Sequence, residues 1–282
     1  MSSSPNQTNT PSGVDPFREA LNQSLIAQAP DLGPSVVFLI LFALSSVIYA
    51  FRSFKTRRLA YYYLFGFAIL RTAAYITRAV WSQDVTSSTD AIAGGVIASG
   101  GFFLAAQSLY VLFTVWVASL HGGSENLPSR DKRYIQLIKL LLPLSSLIGI
   151  IGSVKQYSAS SLNDYNLGTT LRKVSVLGFA GLLALLIGLT ALYSIQLNGF
   201  HKLPASSILC TGSLLLMIEM IYRIDAIWSN SKADVNTQKW VFYVFLSIPE
   251  FIFSVFMGVV NIEKIFYEAG GDSGTDREKG DH

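Results

Sequence analysis

The sequence predicts an all-α integral membrane protein, a seven-transmembrane-helix bundle with disordered termini. Three observations carry this. Of 282 residues, 51% are hydrophobic and only 14% charged, whereas soluble domains carry about 25% charged residues. Seven apolar runs approach or exceed the ~20 residues that cross a ~30 Å hydrocarbon layer. These runs nearly fill the chain, so a membrane domain at 34–262 lies between tails at 1–33 and 263–282.

Residues 1–33 are rich in Ser, Asn, Gln, Thr and Pro, a composition that buries too little apolar surface to offset the entropy of ordering. Asn6 and Asn22 open the triplets Asn6-Gln7-Thr8 and Asn22-Gln23-Ser24, both of glycosylation-acceptor form. No cationic, cleavable leader opens the chain, so the first span is expected to direct targeting. That span is Pro34 to Phe51. Leu59 to Trp81 follows, then Ala91 to Leu120, a run about 45 Å long that must tilt, kink or protrude. The fourth, Tyr134 to Val154, carries Lys139 near its start, where a long amine can snorkel to the interface. Val174 to Asn198, Ser206 to Trp228 and Trp240 to Ile262 complete the set.

Orientation follows from the loops. Arg52, Lys55, Arg57 and Arg58 follow the first span, and Arg130, Lys132 and Arg133 follow the third. The segment after the second span, Ser82 to Asp90, has no Lys or Arg. The positive-inside rule therefore puts the N-terminus outside or in a lumen and the C-terminus in the cytosol, at a plasma membrane or endomembrane. Arg172 and Lys173, placed just before the fifth span, run against the bias. The net charge of +3 is modest and its cations sit beside spans, so a nucleic-acid partner is not expected. Cys210 is the single cysteine, which excludes an internal disulfide and reads as a small apolar thiol.

Gly94, Gly95, Gly100 and Gly101 recur along the third run with Ala98 and Ala105. Small residues let helices approach closely where apolar side chains gain nothing by leaving lipid. The C-terminal tail holds Glu268, Asp272, Asp276, Glu278 and Asp281 among glycines and reads as a solvated acidic segment.

Six ionisable residues fall inside the runs: Arg71, Arg78, Glu219, Arg223, Asp225 and Glu250. Each is expensive in hydrocarbon and requires a partner or a wet cavity. Arg71 and Glu250 lie eleven residues from the outer ends of their spans and Glu219 nine, about 14–16 Å deep at ~1.5 Å per residue. Arg78, Arg223 and Asp225 lie closer to that end. Glu219 and Arg223 have the i, i+4 order that favours an intrahelical bridge. Pro249 removes a backbone hydrogen bond beside Glu250 and predicts a break in the seventh span there. The expected site is an outward polar cavity between spans two, six and seven, with Arg71 facing Glu250 or Glu219 and Arg78, Arg223 and Asp225 at its mouth. Tyr75, Gln107 and Tyr222 are candidate lining residues. The competing reading is that these charges pair only to set helix packing.

Metal, cofactor and catalytic signals are missing. No His lies within a run, no Lys occupies the interior of the seventh, and no phosphate loop, HExxH, GxSxG or cysteine cluster is present. No cofactor, metal or enzymatic activity is expected.

Pro34-Ser35 with Leu41-Phe42-Ala43-Leu44, a short basic loop and then Tyr75-Ile76-Thr77-Arg78 resemble the fungal lipid-translocating exporter family, the resistance-to-aminocholesterol type of seven-helix protein. Tyr222-Arg223-Ile224 and Trp240 to Phe245 look like its sixth span and the aromatic start of its seventh. Of that family's Glu-x-x-Gly-Tyr-x-x-Arg pattern this chain keeps Tyr75 and Arg78, with Arg71 in place of the acid and Ala74 in place of the glycine. A second resemblance, to the plant tobamovirus multiplication proteins, rests on Phe102-Phe103, Leu109 to Phe113, His121 and Arg78-Ala79-Val80. The first implies movement of a membrane lipid or small amphiphile, the second a scaffold that recruits a cytosolic protein partner. A cavity with both signs of charge suits a zwitterionic headgroup, or a step coupled to proton exchange at Glu219 or Glu250. An orphan receptor or scaffold is the alternative, and no sequence signal sets an oligomeric state.

Overall fold

A computed structural model describes residues 32–83, 87–196, 203–228 and 240–267. Of the tails expected to be disordered, Leu32 and Gly33 instead open the first helix and Glu263–Tyr267 forms a π-helical turn with Phe266 buried; residues 1–31, with the acceptors Asn6 and Asn22, and the acidic segment from Glu268 lie outside the described residues. Seven described helices are long and apolar enough to cross a membrane. They are α1 Leu32–Thr56, α2 Leu59–Trp81, α3 Ser88–Leu120, α4 Ser129–Tyr157, α5 Leu162–Gln196, α6 Leu203–Trp228 and α7 Trp240–Val259. No strand occurs among the described residues.

Each helix packs on the next in sequence, and α7 returns to α1. Within this ring α3 also touches α5 and α6, and 61% of its most apolar stretch is buried against 28% for α1. The third helix is therefore the centre of the bundle and α1 its lipid-facing edge. Solvation is inverted relative to a soluble core. Leu44, Val47, Phe51, Leu140, Ile195 and Val259 are exposed, while the interior holds serines and threonines whose hydroxyls donate to carbonyls one turn back. Ser53 donates to Tyr49, Thr72 to Ala68, Ser153 to Gly149 and Thr190 to Leu186. Such back-bonding leaves few unsatisfied donors in a medium without water.

Sequence and structure agree on α2 to the residue. The largest difference is α5, which begins at Leu162 rather than Val174. Its first three turns are polar, so hydropathy misses them, and Arg172 and Lys173 lie within the helix rather than before it. Close approach of α4 and α5 makes this possible. A Cβ at Gly168 would stand 2.7 Å from the Cα of Gln156, and one at Gly152 would stand 2.8 Å from the backbone nitrogen of Arg172. Lys139, expected near the start of its span, is exposed ten residues into α4, because that helix begins at Ser129.

The expected break near Pro249 takes the form of a π-helical stretch, Tyr243–Ser247, followed by α-helix from Ile248. Proline supplies no N–H for the carbonyl four residues earlier, at Phe245. A wider turn absorbs that loss without a hinge. Past Val259, a second π-helical turn at Glu263–Tyr267 ends the described chain. Arg52 donates to the Val260 carbonyl at 3.2 Å and Arg58 lies 4.4 Å over the ring of Tyr267. Two cations of the basic segment thus hold the end of α7 against α1 and α2.

Candidate functional site

A cavity of about 760 Å³ runs from Arg71, halfway along α2, to the bundle end that carries Trp81 and Trp228. Helices α2 to α7 all contribute to its wall, so it is wider than the cleft between α2, α6 and α7 that the sequence predicts. Arg71, Arg78, Arg223 and Asp225 line it. Glu219 and Glu250 do not; they are fully buried behind the arginines.

The deep charges form a quartet. Arg71, 2% exposed, contacts Glu250 and lies 3.5 Å from Glu219. Glu219 in turn accepts from Arg223 Nε at 2.7 Å, and Arg223 Nη2 lies 2.6 Å from the same oxygen. The i, i+4 bridge is present, and it moves Arg223 out of the predicted shallow layer into the deep one. Two cations and two anions cancel, as a low dielectric requires. Gly101 of α3 lets the group fit, since a Cβ there would lie 3.3 Å from the guanidinium carbon of Arg71. Glu219 Oε2, Glu250 Oε2 and Arg71 Nε are buried without a hydrogen-bond partner, so the quartet is closed in charge and open in hydrogen bonding.

Nearer the mouth, Arg78 lies 3.8 Å over the ring of Phe242, and its buried Nε has no hydrogen-bond partner. Asp225 is exposed. Tyr75 and Tyr222 both line the cavity, and the Tyr75 hydroxyl is buried and unpartnered. Gln107 is buried outside the lining. The glycine stripe of α3 divides: Cβ atoms at Gly95, Gly100 and Gly101 would meet Ser153, Leu70 and Arg71, whereas one at Gly94 meets nothing within 4 Å. Gly94 and Gly95 both line the cavity, Gly94 with open space beside it, and Gly100 and Gly101 are packing sites.

A sequence model of the RTA1-like proteins matches residues 64–269, which takes in the cavity, the quartet and six of the seven spans. The chain belongs to the RTA1-like family. Of the two resemblances read from the sequence, the match concerns the first. Comparison with curated proteins and with solved structures gives no match.

In this RTA1-like protein Tyr75 and Arg78 both face the cavity, and Arg71, where the motif has an acid, takes its counter-charges from α6 and α7. Sequence reasoning missed the wall supplied by α4 and α5. Arg172 donates to Gln156 Oε1 at 2.5 Å and to the Tyr157 hydroxyl at 3.3 Å, and Lys173 lies 4.9 Å over Trp228. A signal was available. Asn166, Thr169, Lys173 and Val176 all line the cavity at spacings of three and four, the repeat of one helix face. Among the described residues no three His, Cys, Asp or Glu side chains converge as a metal site would require.

Proposed function

We propose that this membrane protein binds a small amphiphile in the cavity and moves it between the membrane and the aqueous face at the cavity's mouth. The observation that carries this reading is the cavity's mixed wall. Cationic and aromatic side chains line it together with the apolar Phe102, Val176, Phe179, Met220 and Leu246. A volume near 760 Å³ lies within the ~300–1,000 Å³ of sites that enclose a drug-sized ligand. A headgroup would sit among the cations and an alkyl or ring portion against the apolar wall. Membership of the RTA1-like family supports the same reading, because the sequence resemblance implies handling of amphiphiles.

The mouth faces the exterior or a lumen in this reading. Its support is the charge asymmetry of the ends, with Arg52 to Arg58 and Arg130 to Arg133 gathered at the opposite end. The protein acts as a binder or transporter and not as an enzyme. The scaffold alternative draws less support, since two cations of the first basic loop are engaged with the protein's own C-terminal segment.

The test is movement of labelled lipids and single-chain amphiphiles in liposomes holding the purified protein, wild type beside Glu250→Gln and Arg71→Gln. Protein-dependent movement that collapses in either variant is the expected result. Movement no faster than in empty liposomes for every probe would defeat the transport reading.

A further inference from the structure

We infer that the cavity selects amphiphiles whose headgroup is anionic, a phosphate, sulfate or carboxylate carried on an apolar chain. The inference rests on the amphiphile reading above and names the ligand class for the same site.

Charge decides it. Among the described residues five cations line the cavity, Arg71, Arg78, Arg172, Lys173 and Arg223, against one acid, Asp225, which is exposed. Glu219 and Glu250 stand behind the wall and are consumed by Arg71 and Arg223. The other three cations have only neutral partners among the described residues. Arg78 rests on Phe242, Arg172 on Gln156 and Tyr157, and Lys173 on Trp228. An aromatic face or an amide orients a cation but does not cancel its charge. Three positive groups against one exposed carboxylate leave an excess of positive potential within low-dielectric walls, which concentrates anions.

Hydrogen bonding points the same way. Arg78 Nε is a buried donor without an acceptor. Buried donors are rarely left open in folded proteins, and an anionic oxygen entering the cavity fits it. A zwitterionic or cationic headgroup would place a positive charge among cations that outnumber the one carboxylate, Asp225, in the described lining. Size then separates a lipid-like anion from a free one. The cavity is far larger than an inorganic ion needs, and its wall includes the apolar side chains of Phe102, Val176, Phe179, Met220 and Leu246 beside polar ones.

The test uses the full chain in phosphatidylcholine nanodiscs, with empty discs subtracted. Radiolabelled dodecyl phosphate is bound, then displaced by dodecylphosphocholine, dodecylammonium or inorganic phosphate. Dodecyl phosphate should bind at least tenfold tighter than the other two dodecyl compounds, and inorganic phosphate should fail to displace it. Arg78→Gln and Lys173→Gln should each weaken dodecyl phosphate about tenfold, the scale of one charge-assisted hydrogen bond, and weaken dodecylphosphocholine, whose phosphate carries less charge, by a smaller factor. Asp225→Asn changes an exposed residue and should tighten dodecyl phosphate severalfold, which keeps the test informative if an arginine variant fails to fold. Equal or tighter binding of the zwitterion or the cation would overturn the anionic class and leave the amphiphile reading standing. Displacement by inorganic phosphate at matched concentration would overturn the requirement for a chain. Absence of binding by all three dodecyl compounds would remove the amphiphile reading itself.

Discussion

Arg71→Gln isolates the energy stored in the quartet. The side chain is 2% exposed and is the sole cation in contact with Glu250 among the described residues, whereas Glu219 keeps Arg223 when Arg71 is removed. Removing one partner of a buried ion pair costs about 3–5 kcal/mol, because the remaining charge stays desolvated and unpaired. At roughly 2–4 °C per kcal/mol for a chain of this size class, the apparent Tm should fall by about 6–20 °C. The double variant Arg71→Gln/Glu250→Gln replaces the pair by two neutral amides of similar volume. It should recover most of the loss, since exchanging a whole buried pair is often close to neutral. Thermal unfolding in nanodiscs of the wild type, both single variants and the double variant closes the cycle. A coupling of about 2–3 kcal/mol is expected, at the upper end of what contacting residues show. Strict additivity, or a single variant within ~0.5 kcal/mol of wild type, would refute the claim that the pair holds the bundle interior together.

Gly94→Leu should abolish amphiphile movement with little change in Tm, because a Cβ at Gly94 meets nothing within 4 Å and the side chain fills the cavity; liposome flux and thermal unfolding together check it. Gly168→Ala should do the reverse of sparing the fold: its methyl group would lie against the backbone of Gln156, and overpacking of this kind costs about 1–3 kcal/mol, read by the same unfolding assay. Phe242→Ala removes the ring 3.8 Å beneath Arg78 and should lose about 0.5–2 kcal/mol of cation–π stabilisation; measured beside Phe242→Tyr, which keeps a ring, the loss should appear in the alanine variant alone.

Much of the fold was legible because hydrocarbon imposes a length and a polarity that short windows of sequence register directly. The bounds of α2 and the inward placement of Arg71, Glu219 and Glu250 followed from depth and cost alone. The wall made by α4 and α5 did not. Asn163, Asp164, Asn166, Thr169 and Thr170 lower the hydropathy of the start of α5, and two cations at 172 and 173 look like a loop. Within that stretch Asn166, Thr169, Arg172 and Lys173 line the cavity while Asn163, Asp164 and Thr170 do not, a distinction that mean hydropathy cannot make. Helical spacing can, because residues 166, 169, 173 and 176 recur at three and four on one face. Arg223 was misplaced for a related reason: depth counts Cα positions, whereas its side chain reaches back one turn to Glu219, as helical side chains do.

The deep layer and the mouth therefore have different energies and different roles. At the mouth, Arg78, Arg172 and Lys173 form no ion pair among the described residues and outnumber the one lining carboxylate, Asp225, so a ligand entering there gains without breaking an existing ion pair. At the floor, Arg71 meets the cavity but is already committed to Glu250 and Glu219. A headgroup that travels deeper must displace a buried carboxylate from a buried guanidinium, at a cost on the order of the 3–5 kcal/mol that breaking such a pair carries. Binding and passage are thus separable events in one cavity. Variants at the mouth should change which ligand is held, and variants in the quartet should change whether a held ligand moves. A Glu250→Gln protein that binds like the wild type but transports nothing would show the two layers acting in that division, and one that loses binding and transport in parallel would show that the floor is part of the binding site itself.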